Sequence, residues 1–88
     1  MKIKDNFLLK NVAGKTIVVP VGSAAINFNA VVTLNDTGAF LFQKLQANDC
    51  TEQDLADALC AEYVVDRETA LRDISAFITK INDAGMME

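Results

Sequence analysis

The sequence predicts an α+β domain: a three-stranded antiparallel sheet followed by a three-helix cluster. Three observations predict it. Runs of β-branched and aromatic residues joined by short turns fill the first third of the chain. At Asn35-Asp36 the pattern of apolar residues changes from a period of two to a helical one. From there on, three helical segments each open on a capping residue, Asn35, Thr51 and Asp66.

The first two strands are expected at residues 7–12 and 15–19, with Gly14 in the link of a hairpin. In the second run Ile17, Val19 and Val21 share one parity, which assigns that face to the core. Pro20 donates nothing to a ladder and belongs at the strand's end, and Gly22-Ser23 supplies the next turn. The third run alternates Ile26, Phe28, Ala30, Val32 and Leu34 with Asn27, Asn29, Val31 and Thr33. A bulge near Asn29-Ala30 is one way to divide it. A meander of three such runs leaves the third strand at an edge.

The first helix is expected over residues 36–46, with Asn35 as N-cap and Asp36 in the first turn, burying Leu41, Phe42 and Leu45. Gly38 inside it costs about 1 kcal/mol against alanine, which a close packing contact would explain. The second helix runs to about residue 62 behind Thr51, with Asp54 three positions later in a capping-box arrangement. The third opens at Asp66, carries Glu68 in its first turn, and stops at Gly85 after about residue 84. Its apolar stripe reads Leu71, Ile74, Ile78 and Ile81, with Ala70 and Phe77 on one flank.

Composition narrows the function classes. A chain of 88 residues, 51% hydrophobic and 23% charged, is expected to form one domain, residues 1–88, around one modest core. The net charge of −4 disfavours nucleic acid and anionic membrane as partners. No apolar run approaches the roughly 18 residues of a membrane span. The basic start Met1-Lys2-Ile3-Lys4 has no apolar segment behind it, so a cytoplasmic protein is expected. The chain has no histidine, and Cys50 and Cys60 are ten apart with no CxxC pair, so no metal or other cofactor is expected. Cys60 falls in line with Leu55, Ala56, Leu59 and Tyr63, where a thiol acts as a small hydrophobe.

Catalytic patterns are missing as well. There is no GxxxxGK loop, and without histidine no Ser/His or Cys/His pairing. Glu52, Asp54, Asp57 and Glu62 read as a solvated helix face. An acyl carrier would need a serine at a helix start, where this chain reads LNDTGA. The chain is therefore read as a binding module rather than an enzyme. The edge strand is the feature that can bind. Its unpaired N–H and C=O groups template an added strand. An ordinary core strand with a protected edge gives the same pattern, and periodicity alone leaves both readings open.

The segments VVTLNDTGAFLFQKL and TEQDLADALCAEYVVDRETALRDISAFITKINDAGMME resemble the PqqD-like family, the domains called RiPP recognition elements. The shared pattern is a strand ending in Leu-Asn, an acidic residue, Thr-Gly, and an apolar helix. A Thr-capped helix ending in Tyr follows, then a Val-Asp link and a long helix with Asp73 and, four residues on, Phe77. The resemblance covers nearly the whole chain; Cys50 departs from the small or polar loop residue usual there. It implies a winged-helix-like domain that binds the leader of a ribosomally made precursor peptide and presents it to a modifying enzyme such as a radical-SAM maturase. It also implies that the leader adds to the third strand beside the third helix. On this sequence the edge would then comprise Asn27, Asn29, Val31, Val32 and Thr33, and the helix would offer Ala70, Asp73, Phe77 and Lys80. Arg67 and Arg72, the only arginines, could pair with a leader carboxylate or simply balance Glu68 and Asp73. Two other occupants fit such a fold. DNA is disfavoured because Asp66, Glu68, Asp73 and Asp83 outweigh Arg67, Arg72 and Lys80 on the third helix, a net of −1. The same edge could instead pair with its copy in a homodimer.

Overall fold

The computed structural model describes residues 1–22 and 32–88. Strands β1 (Phe7–Val12) and β2 (Lys15–Pro20) form an antiparallel hairpin in which Val12 faces Lys15 and Phe7 faces Pro20. Two residues make the turn, Ala13 with φ 52° and Gly14 with φ 79°. Two successive left-handed residues match the twist of the flanking strands, and glycine takes one of them without strain. Strand β3 (Val32–Leu34) pairs antiparallel with β2 through Thr16–Leu34, Ile17–Thr33 and Val18–Val32. The order is β1-β2-β3, so β3 lies at an edge of the sheet as described. The predicted stretch from Ile26 to Val31, with its bulge and with Asn27 and Asn29, lies outside the described residues.

The register decides which face is buried, and it corrects the sequence reading. Phe7, Val18, Val32 and Leu34 are buried. Leu9 pairs with Val18 and packs partly against the same core. Ile17 and Val19, taken for the core side, are on the other face and only half-buried, and Val21, beyond the strand, is half-buried as well. Strand β2 is apolar on both faces, so its own parity cannot choose between them. Phe7 on β1 and the Val32-Thr33-Leu34 alternation on β3 choose, and pairing imposes the choice on β2.

Helix α1 (Asp36–Ala47) begins one residue after β3 ends. The Asn35 side-chain oxygen accepts the Gly38 N–H at 2.8 Å and the Thr37 hydroxyl at 3.1 Å. The short segue has a steric condition. A Cβ on Gly38 would sit 3.1 Å from the Asn35 oxygen and 3.4 Å from Leu34 side-chain carbons. Helix α2 (Glu52–Glu62) carries the predicted capping box: the Asp54 N–H donates to the Thr51 hydroxyl oxygen, and the Thr51 N–H donates to the Asp54 carboxylate. Tyr63, at its C-terminal end, meets the Phe40 ring edge-on at 5.7 Å and so ties α2 to α1.

Helix α3 (Arg67–Asp83) is capped by Asp66, whose carboxylate accepts the Thr69 N–H at 2.8 Å. Its buried stripe is Ala70, Ile74, Phe77 and Ile81, spaced four, three and four. Leu71 and Ile78 are only partly buried beside it. The stripe is thus rotated toward the flank that holds Ala70 and Phe77. Leu41, Phe42 and Leu45 of α1 and Leu55, Ala56 and Leu59 of α2 complete the core, as the helical pattern predicts. Cys50 and Cys60 are free thiols packed against it.

One feature has no counterpart in the sequence reading. Ile3 and Met86 are fully buried, and the two ends of the described chain run side by side. Ile3 bridges Met87, the Lys4 N–H donates to the Met86 carbonyl at 2.9 Å, and the Ile3 N–H donates to the Leu45 carbonyl at 3.1 Å. The Gln46 amide reaches across to the Phe7 carbonyl at 2.6 Å. The C-terminus of α1 is therefore tied to both the chain ends and the start of the sheet.

Two predictions follow from the caps. Gly38→Ala should lower the melting temperature, although alanine gains about 1 kcal/mol in helix propensity. In an Asn35→Gly background, with the obstructing oxygen gone, the same change should raise it; an increase in both backgrounds would refute the steric account. For Asp66, the Thr69 N–H holds the carboxyl below the ordinary carboxylate range. A carboxyl lowered in the folded state adds stability that is complete above the unfolded pKa, about 4. That stability is lost as pH falls through the folded value. Asp66→Asn, which keeps an acceptor but does not titrate there, should flatten the loss of stability on acidification, as read by urea unfolding from pH 6 to pH 2.

Candidate functional site

Rotating the α3 stripe toward Phe77 leaves a second flank of that helix facing the sheet edge. Between them lies an open cleft of about 450 Å³. One wall is the end of β3, Thr33 to Asn35, and the other is Asp73, Ala76 and Lys80 of α3. Leu34, Leu41 and Phe77 are apolar cleft-lining residues that also belong to the core. The first turn of α1 closes one side with Thr37 and Gly38. Gly38 therefore serves twice, passing Leu34 closely and giving the cleft a wall without a side chain.

The Lys80 ammonium donates to the Thr33 carbonyl at 2.7 Å. Backbone carbonyls of a strand lie in the plane of the sheet, so each points either toward the paired neighbour or away from it. The ammonium from α3 meets the carbonyl that points away from β2. In an antiparallel pair the N–H and C=O of one residue share a direction. Thr33 accordingly presents both groups away from β2, to the edge that is unpaired among the described residues, while the side chains of Val32 and Leu34 are buried.

Asp73 and Lys80 are the charged residues on the cleft. Neither belongs to an ion pair among the described residues. They stand seven positions apart on one helix, about 10 Å along its axis. Among the described residues no three Cys, Asp or Glu side chains converge as a metal site requires. No described helix is long and apolar enough to cross a membrane.

Thr33, Asp73, Phe77 and Lys80 of the sequence-derived set meet at this cleft. Others stand elsewhere. The side chain of Val32 is buried in the core, and Ala70 is buried completely. Arg67 reaches α2, where it donates to Asp57 at 2.7 Å and to Gln53. The bond to Asp57 raises its pKa further, and this largely exposed pair links α3 to α2 away from the cleft. Asn27, Asn29 and Val31 lie outside the described residues. Sequence reasoning did not name Leu34, Asn35, Thr37, Gly38, Leu41 or Ala76 as lining. The signal for the α1 residues was the short Leu34-to-Asp36 segue, which forces the first turn of α1 beside the end of β3; Ala76 had only its place on α3 between Asp73 and Lys80.

Comparison with known proteins fits this geometry. The family model for coenzyme PQQ synthesis protein D matches residues 15–87. None of the curated proteins matches this chain. Among solved structures, TbiB1 in complex with the TbiA(beta) leader peptide is similar at a TM-score of 0.73 and 24% identity. That likeness covers 100% of this chain and 95% of TbiB1. A lasso peptide synthetase B1 complexed with the leader peptide gives 0.69 and 27%, over 97% of this chain and 93% of that one. The sheet-then-helices fold is common to all three. With the family model spanning β2 to the C-terminal bridge, the chain belongs to the PqqD family.

Proposed function

We propose that this protein binds the leader segment of a ribosomally synthesised precursor peptide and presents it to a modifying enzyme. The leader adds as a strand to the open edge of β3, in the cleft beside α3. The observation that carries this reading is Thr33. Its carbonyl points out of the sheet into a cleft with an apolar floor, so one backbone acceptor and one side-chain pocket lie side by side. Strand addition needs that pairing: backbone bonds supply affinity, and pockets for alternate side chains supply selectivity. Family membership supports the reading, as does the presence of a leader peptide in both similar complexes.

In this role the domain carries a peptide and performs no chemistry on it. The partner that does is a maturase, for instance of the radical-SAM class, working in the cytoplasm. Of the residues drawn from the sequence, Thr33, Asp73, Phe77 and Lys80 serve as groove positions. Leu34, Leu41 and Ala76 join them.

The test is a titration of the isotopically labelled domain with a synthetic leader encoded beside its own gene. Amide shifts should concentrate at Thr33 and along Asp73 to Lys80. Thr33→Pro deletes the outward N–H and leaves the ladder with β2 intact. It should weaken leader binding roughly threefold to tenfold, the worth of one backbone hydrogen bond. Thr33→Ala should change it little. Equal effects of the two substitutions would exclude strand addition at Thr33.

A further inference from the structure

The Lys80–Thr33 contact carries more than an edge. An incoming strand must form its hydrogen bond at the carbonyl that Lys80 already holds. The oxygen has two lone pairs, so the strand's N–H and the ammonium compete for one outward-facing acceptor, and an ammonium displaced into a half-open cleft takes the strongest partner offered. Among the described residues no carboxylate stands within ion-pair distance of it. Asp73, the other charge on the cleft, is about two helical turns away.

From this we infer that the peptide itself supplies the partner. The segment bound here carries an acidic side chain opposite Lys80, and docking is an exchange. The Lys80 N–H leaves the Thr33 carbonyl and pairs with the peptide carboxylate, while a peptide backbone N–H takes its place on Thr33. No acceptor or donor is left unsatisfied, and a hydrogen bond in which only the ammonium is charged is replaced by one in which both partners are. Asp73 sets the polarity of the choice. It repels an acidic side chain at its own end of the cleft, so the preference for a carboxylate is confined to the Lys80 end. Lys80 is thus a specificity-determining residue, and the class of ligand is an extended peptide with one acidic position in register with Thr33. This inference rests on the peptide-binding reading above.

A randomised library of 15-residue peptides, displayed and selected on the immobilised domain, tests it. Pools selected on the wild type should fix Asp or Glu at one position. Lys80→Arg should preserve that choice, and Lys80→Glu should replace it with Lys or Arg. Thermal unfolding of each variant verifies that the fold is unchanged. For the best wild-type binder, changing its acidic residue to the amide should weaken binding about threefold to fivefold, as for a solvent-accessible ion pair. The same change should have no effect on Lys80→Met. Binders that shift the Thr33 amide but show no charged position, or an acidic choice that survives Lys80→Glu, would overturn the inference and leave peptide binding standing. A library that yields no binder, or none that shifts Thr33, would overturn both.

Discussion

The Asn35 cap is the contact on which the site depends. Its side-chain oxygen holds the Gly38 N–H at 2.8 Å, and this makes α1 start one residue after β3 stops. A longer connection would let the helix drift from the strand, and the cleft would have no closed side. The same hydrogen bond draws Gly38 against Leu34, where any larger residue meets either the cap or the strand's last buried side chain. Cap, glycine and buried leucine are thus one device. It converts a sheet edge, generically adhesive, into a bounded groove.

Much of this was legible in the sequence, because it rests on local chemistry. Asn35, Thr51 and Asp66 each accept from the N–H three residues on, as their types and positions predict. The strand order followed from short turns. What failed were choices that only pairing decides. Strand β2 is apolar on both faces, so Ile17 and Val19 looked as fit for the core as Val18. On α3 seven apolar positions span more than one face, and only the packing of the fold shows that Ala70 and Phe77 outrank Leu71 and Ile78.

The bridge between Ile3 and Met87 was invisible for a different reason. Pairing so short has no period to detect, yet it buries Ile3 and Met86 completely. At the candidate site the same division holds. Asp73, Phe77 and Lys80 came from a resemblance, and the contact that gives Lys80 meaning, 47 residues away in sequence, came only from the fold.

The division of the cleft into floor and rim bears on how such a domain acquires its selectivity. Leu41 and Phe77 are 1% and 7% exposed, so the floor is also the core. Truncating a buried Phe or Leu typically costs about 2–5 kcal/mol, a large share of what a small domain has. The floor can therefore accept apolar side chains but cannot be freely re-cut for each ligand. The rim is under no such constraint: Asp73, Ala76 and Lys80 are exposed, and their substitution disturbs little packing. Backbone bonds at the edge are the same for any peptide. On the proposed binding mode, discrimination between one leader and another consequently falls to charge and size at those rim positions, a few residues that can change while the fold beneath them stays fixed.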